Sequence, residues 1–104
     1  MTEHSLASIV EAAAADLEAA EARTVGGSQE WSIGGIAFAT AAGDRAEFRL
    51  DPIVAGAARR TPDTAPSERG PDWVAFAPTV LDQHAIDRAT AWLASAWRRA
   101  DGEG

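Results

Sequence analysis

The chain has 104 residues, enough for one domain and too few for two of ordinary size. Its hydrophobic residues (46%) and charged residues (24%) are in the proportions of a soluble globular protein, which excludes a disordered tail. Sixteen acidic and nine basic residues give a formal net charge of −7, which argues against a protein whose main task is to neutralise phosphates. Because the chain has no cysteine, disulfides, cysteine nucleophiles and cysteine metal sites are excluded.

Residues 5–23 are predicted to form the first helix. Apolar residues from Leu6 to Ala20 recur at spacings of three and four, which gives one apolar stripe at the period of a helix. From residue 29 the apolar period changes to two, which predicts a three-strand antiparallel meander. Its strands are expected at residues 31–33, 36–40 and 45–50.

A short helix and a long loop are predicted after the meander. Asp51 and Pro52 suit the N-cap and the first position of a helix, so residues 53–59 are expected to form about two helical turns. Residues 61–72 contain three prolines and one glycine, a composition that predicts a loop.

The last part of the chain completes the sheet and adds a long helix. Residues 73–77 are apolar on both faces, which predicts a central fourth strand, and residues 82–100 form a helix with Asp82 as N-cap. The predicted fold class is α+β, with the meander and the fourth strand packed on one face by the N- and C-terminal helices. Residues 1–104 are expected to form a single domain with flexible ends near 1–4 and 101–104.

Short motifs in the sheet and the last helix resemble those of a known family. They are residues 35–39 (GIAFA), 48–52 (FRLDP), 70–74 (GPDWV) and a closing helix that begins with Leu81 and Asp82 and ends in Ala96, Trp97 and Arg98. Over roughly residues 31–99 the chain resembles the MmcQ/YjbR family of small proteins. The resemblance implies a frataxin-like fold with a double-wing motif and DNA binding, and it implies no catalytic residues. Ile36 stands where that family tends to have a basic residue.

Five residues form a candidate site for a ligand or a nucleic acid. Arg59 and Arg60 end the predicted short helix and Arg69 lies in the predicted loop, so a loop that folds back would bring three guanidinium groups to one phosphate or carboxylate. Arg49 on the third strand and Trp73 on the fourth complete the site. The alternative is that two solvated arginines end a helix near an unrelated loop charge.

The last helix carries a candidate protein interface. Trp92 lies about 140° around the helix from Trp97, at 100° per residue. It is grouped with Ala85, Arg88 and Ala96, and a large aromatic on a flat alanine surface is typical of an anchor for a partner or a second copy. The alternative is that Trp92 packs against the sheet.

No cofactor, metal ion or catalytic group is predicted. Glu11, Glu18 and Glu21 share one face of the predicted first helix, but side chains spread over about 10 Å make no closed metal shell. His84 has no partner at a fixed spacing that would make it a general base, so it is expected on the surface.

These features together predict a small cytoplasmic binding module that is not an enzyme and that acts through protein contacts, with an unknown partner or as a homodimer. The alternative is a DNA-binding protein with an arginine-bearing sheet and loop face, which the net charge disfavours. No run of about 18 apolar residues predicts a membrane span, and the N-terminus lacks the positive region of a secretory signal.

Overall fold

In the computed structural model, residues 5–103 are described, and they form one sheet with three helices. The strands are β1 (Glu21–Val25), β2 (Ser28–Ile33), β3 (Ile36–Ala42), β4 (Arg45–Arg49), β5 (Thr64–Ser67) and β6 (Gly70–Phe76). The helices are α1 (Leu6–Ala14), α2 (Pro52–Ala58) and α3 (Gln83–Glu103). The predicted α+β class is confirmed. The prediction of four strands is too low, because six strands form.

All six strands pair in antiparallel fashion in the order β1-β2-β3-β4-β6-β5. The first four strands are successive hairpins, and the chain then passes through α2 before the β5–β6 hairpin adds to β4. β6 therefore lies between β4 and β5, which confirms the central place predicted for the fourth strand. The meander of β2, β3 and β4 is also confirmed.

The prediction of one helix over residues 5–23 is wrong beyond Ala14. The chain turns after α1, Ala19 adopts a positive φ of 63°, and β1 then pairs with β2 through a tight turn at Gly26 and Gly27. Both glycines have positive φ, which is the backbone that a two-residue hairpin turn requires. The apolar spacing that predicted a longer helix is also compatible with this turn, because Leu17 lies in the turn and still packs, half-buried, against the core.

The prediction that residues 61–72 form a loop is also wrong, because β5 and the start of β6 lie within them. Among residues 5–103, β5 pairs only with β6 and is an edge strand. One side of Pro66 therefore has no partner strand, and no hydrogen bond is required there. Thr64 holds the entry to the hairpin, since its hydroxyl donates to the carbonyls of Ala58 at 3.1 Å and Thr61 at 2.7 Å.

The cap of the last helix is confirmed and its end is corrected. The carboxylate of Asp82 accepts the N–H of Ala85 at 2.9 Å, as an N-cap does. The helix does not stop at residue 100 but continues to Glu103, whose carboxylate pairs with Arg49 and Arg99. Of the predicted flexible ends, residues 1–4 and 104 lie outside the described residues.

α1 and α3 pack on the same face of the sheet, because they contact each other and both contact β3 and β4. The core between the layers contains Phe38, Phe48 and Phe76, each fully buried. Phe38 is an extra residue in β3, since Trp31 pairs with Ala39 while Ser32 pairs with Ala37. This bulge places two consecutive side chains, Phe38 and Ala39, in the core.

The turn that replaces the second half of the predicted helix is tied to α3 by one hydrogen bond. The indole Nε1 of Trp97 donates to the carbonyl of Glu18 at 3.0 Å. We expect Trp97→Phe to lower the free energy of unfolding by about 1 kcal/mol, because it removes the donor and keeps most of the apolar contact. Urea denaturation followed by circular dichroism measures the change. A variant as stable as the wild type would show that this bond does not hold the turn.

Candidate binding surface

The strand register places one side chain from each strand in a transverse row. The pairs Glu47–Thr40 and Glu47–Ala75 join β4 to both neighbours, and cross-strand partners in an antiparallel sheet share a face. Because Ala46 and Phe48, on either side of Glu47, are buried under the helices, the row lies on the opposite face. The row consists of Arg23, Glu30, Thr40, Glu47, Ala75 and Ala65. We call this row, with Arg45, Arg69 and Trp73 beside it, the open face.

Glu47 is the centre of the open face. Its carboxylate accepts hydrogen bonds from Arg69 Nε at 3.3 Å, Thr40 Oγ1 at 3.5 Å and the hydroxyl of Ser67, and Arg45 lies 3.8 Å away. Burial by itself raises the pKa of this carboxyl, but the hydrogen bonds from Ser67 and Arg69 and the two positive charges lower it below its ordinary value. Glu47 is therefore an anion at neutral pH whose oxygens are already occupied.

A second carboxylate is held in the same way near the β1 edge. Arg23 places Nε and Nη2 each 2.9 Å from one oxygen of Glu30, across the β1–β2 pair. The side chain of Glu30 is only 12% exposed, whereas that of Arg23 is 71% exposed. The arginine therefore covers the carboxylate and presents its own charge to solvent.

Arg69 joins the charged centre to an aromatic ring. Its guanidinium carbon lies 5.5 Å from the ring centroid of Trp73, a cation–π distance, while its Nε reaches Glu47. Arg45, Glu47, Glu68 and Arg69 line a shallow depression of about 260 Å³ beside this contact. The open face thus presents ordered charges of both signs next to a half-buried tryptophan.

The predicted arginine site is brought together only in part. Arg59 donates a hydrogen bond to the carbonyl of Pro71, so the folded-back path of residues 61–72 places it beside the start of β6, where Trp73 lies. Arg60 is exposed at the end of α2. Arg69 is directed to Glu47, so its guanidinium does not join that of Arg59 at one anion.

Arg49 belongs to a different cluster, at the end of α3. It is the register partner of Trp73, but its guanidinium pairs with Glu103, with Nη2 at 3.2 Å from Oε2. Arg99 binds the same carboxylate and that of Asp72, at 3.7 and 3.0 Å. The hydrogen bond from Arg49 lowers the pKa of Glu103 and raises that of Arg49. The cluster fixes α3 to β4 and β6, and sequence reasoning missed it because its members are distant in the chain.

The predicted interface on α3 does not form one exposed surface. Ala85 and Ala96 are buried, at 3% and 0% exposure, and only Arg88 of the group is exposed. Trp92 is half-buried, with its ring 5.0 Å from Phe76 in an edge-on contact and 6.3 Å from Phe48. The structure therefore places Trp92 against the sheet, which was the alternative. The expected surface position of His84 is confirmed.

No protein-family model, curated protein or solved structure matches this chain. The resemblance to the MmcQ/YjbR family thus stays a prediction based on short motifs. Within residues 5–103, no helix is long and apolar enough to span a membrane, and no three acidic or histidine side chains group as metal ligands.

The carboxylate of Glu47 makes the fold sensitive to acid. Its pKa is lower in the folded protein than in the unfolded chain, so its stabilisation is complete above the ordinary glutamate pKa and is lost as the pH falls through the lowered value. We expect Glu47→Gln to lower the free energy of unfolding at pH 7 by about 1–3 kcal/mol and to flatten its decline from about pH 5 to pH 3.

Urea denaturation at several pH values measures this effect. Glu68→Gln is the matched control, because Glu68 lines the same depression and is exposed. It is expected to change the stability by less than about 0.5 kcal/mol. Equal effects of the two substitutions would contradict the central place of Glu47.

The position of Trp92 predicts a cost in stability. We expect Trp92→Ala to lower the free energy of unfolding by about 2–4 kcal/mol, since it removes the ring packed on Phe48 and Phe76. Ile53→Ala, at a side chain that is 85% exposed, is the control and should cost less than about 0.5 kcal/mol. Thermal unfolding compares the variants. A Trp92→Ala protein with wild-type stability would return Trp92 to the role of a surface anchor.

Proposed function

We propose that this protein is a non-enzymatic binding module that acts through protein contacts, and that its contact surface is the open face. The observation that carries the proposal is the arrangement around Glu47 and Glu30, where arginines and carboxylates alternate and are held by each other. Such a surface suits a partner with charges of both signs, because complementary charges across an interface select the partner and fix its register.

Trp73 and Arg69 supply the anchor that such an interface needs. Tryptophan and arginine are the residue types that most often contribute a large share of binding energy in protein interfaces. Here the guanidinium carbon of Arg69 lies 5.5 Å from the ring centroid of Trp73, and the bond from Arg69 to Glu47 restricts the guanidinium before any partner arrives. A side chain that is already ordered loses less entropy on binding.

The same pairing argues against the alternative of DNA binding. Nucleic-acid affinity comes mainly from arginines and lysines that neutralise several phosphates. Arg23, Arg45 and Arg69 each lie beside a carboxylate of the open face, so a phosphate would have to displace Glu30 or Glu47 or bind next to it. The formal net charge of −7 adds to the repulsion.

The state of Glu47 does not suit general acid or general base catalysis. A general acid needs a proton at neutral pH and a general base needs a free lone pair near substrate. The pKa of Glu47 is lowered, and its oxygens accept bonds from Ser67 and Arg69. The predicted cytoplasmic location is part of the same proposal.

The experiment compares wild-type protein with an Arg69→Ala/Trp73→Ala variant, each tagged and used to capture partners from a lysate of the native host. We expect a protein captured by the wild type to be reduced by about tenfold or more with the variant, because both anchors are lost. An Ile53→Ser/Val80→Ser variant is the matched control, since it alters two exposed apolar residues outside the open face. Circular dichroism verifies that the variants are folded.

Duplex DNA is titrated in parallel, at low salt and up to about 100 μM protein, the range of non-specific binding. The proposal predicts no binding. It would be overturned by DNA binding that depends on the open-face arginines, or by a partner that the double variant and the control retain equally.

A further inference from the structure

The two edges of the sheet differ in how they are protected. An exposed edge strand presents unpaired backbone groups that attract another strand, and proteins block such edges with proline, bulges or short strands. β5 has four residues, contains Pro66 and has an irregular register at Pro66 and Ser67. β1 has five residues, all exposed, and no proline. Within residues 5–103 it pairs only with β2.

The hairpin geometry shows which backbone groups of β1 are free. In a hairpin with a two-residue turn, the residues next to the turn exchange both hydrogen bonds, and bonded and non-bonded pairs then alternate. Val25 and Ser28 flank the turn, so the N–H and C=O groups of Arg23 point to β2. Those of Ala22 and Thr24 point outward, away from the sheet.

The charged residues of β1 are placed so that two copies of the strand can pair around Ala22 with opposite charges facing each other. Glu21 and Arg23 lie on either side of Ala22 and project from the open face. If a second β1 runs antiparallel with Ala22 opposite Ala22, each Glu21 faces an Arg23 of the other copy. A pairing centred on Arg23 would instead set the two arginines against each other, which is unfavourable.

We propose that two copies of this chain pair through β1, antiparallel and centred on Ala22, to form one continuous sheet with a two-fold axis. Ala22 exchanges both backbone hydrogen bonds with Ala22 of the other copy. Arg23 then lies between Glu30 of its own chain, at 2.9 Å, and Glu21 of the second copy. Within residues 5–103, Glu21 makes no other ion pair. The contact is made by β1, whereas the anchors proposed for the open face are Arg69 and Trp73 beside β6, so this inference does not depend on what those anchors bind.

Sedimentation velocity over a range of concentrations tests the association. We expect the mass to rise from 10.9 kDa toward twice that value, with the upper concentration set at about 1 mM, where an association of about −4 kcal/mol is half complete. A mass that stays at 10.9 kDa up to this concentration would overturn the proposal.

Charge reversal tests the register. Glu21→Arg alone places two arginines opposite each other at both ends, and Arg23→Glu alone places two glutamates there, so each variant is expected to dimerise about tenfold more weakly. Mixed in equal amounts, they regain both opposite-charge pairs and are expected to form a heterodimer more tightly than either variant pairs with itself. Because Arg23→Glu also removes the partner of Glu30, circular dichroism verifies that this variant is folded. If Glu21→Arg dimerises like the wild type, or the mixture stays monomeric, the Ala22-centred register is wrong.

Ala22→Pro tests the backbone contact. The outward N–H of Ala22 has no partner on β2, so proline removes the contact between copies and leaves the β1–β2 hydrogen bonds in place. The variant is expected to be monomeric with wild-type circular dichroism, and Ile53→Ser, on α2, is expected to dimerise normally. Full dimerisation of a folded Ala22→Pro protein would show that another surface joins the copies.

Discussion

The close contact between α3 and the sheet determines the arrangement of the rest of the molecule. Four alanines of α3 are buried where the helix contacts the sheet and α1: Ala85, Ala89, Ala96 and Ala100. Their side chains add little volume to the core, and Leu93 is the one large residue of α3 that is fully buried. The bulk of the core then comes from the sheet, through Phe38, Phe48 and Phe76, and from Trp92 on the flank of the helix.

Because α1 and α3 both pack on one face of the sheet, neither of them covers the other face. Polar groups on such a face must be satisfied by water or by each other. Here they are satisfied by each other. Glu30 is covered by Arg23, and Glu47 is covered by Arg45 and Arg69. The open face therefore has its charges paired although no helix of residues 5–103 covers it, and a partner would meet charges that are already in place.

The spacing of apolar residues predicted secondary structure correctly where a single helix or strand produces the pattern. It failed over residues 5–23, where a helix, a turn and a strand follow one another. Strands β2 and β4 alternate between the two faces, β3 is a short apolar run between two turns, and Asp82 caps an apolar stripe, so the meander and the last helix were predicted. Residues 15–20 keep helical spacing, but the chain turns at Ala19 and residues 21–25 pair with β2 as β1, a contact with another strand that the spacing within one segment does not record. Pro66 indicates a loop by composition, yet an edge strand accepts it.

The sequence by itself determined the fold class and the central place of the predicted fourth strand. It also identified the arginines and Trp73 as candidate site residues. Only the tertiary structure decided where their charges go. Arg69 meets Glu47 because β6 inserts between β4 and β5, and Arg49 meets Glu103 because α3 runs back across the end of β4. The physical reason is that these two ion pairs join residues 22 and 54 positions apart in the chain, and the local spacing does not show that β6 lies beside β4 or that the end of α3 reaches β4.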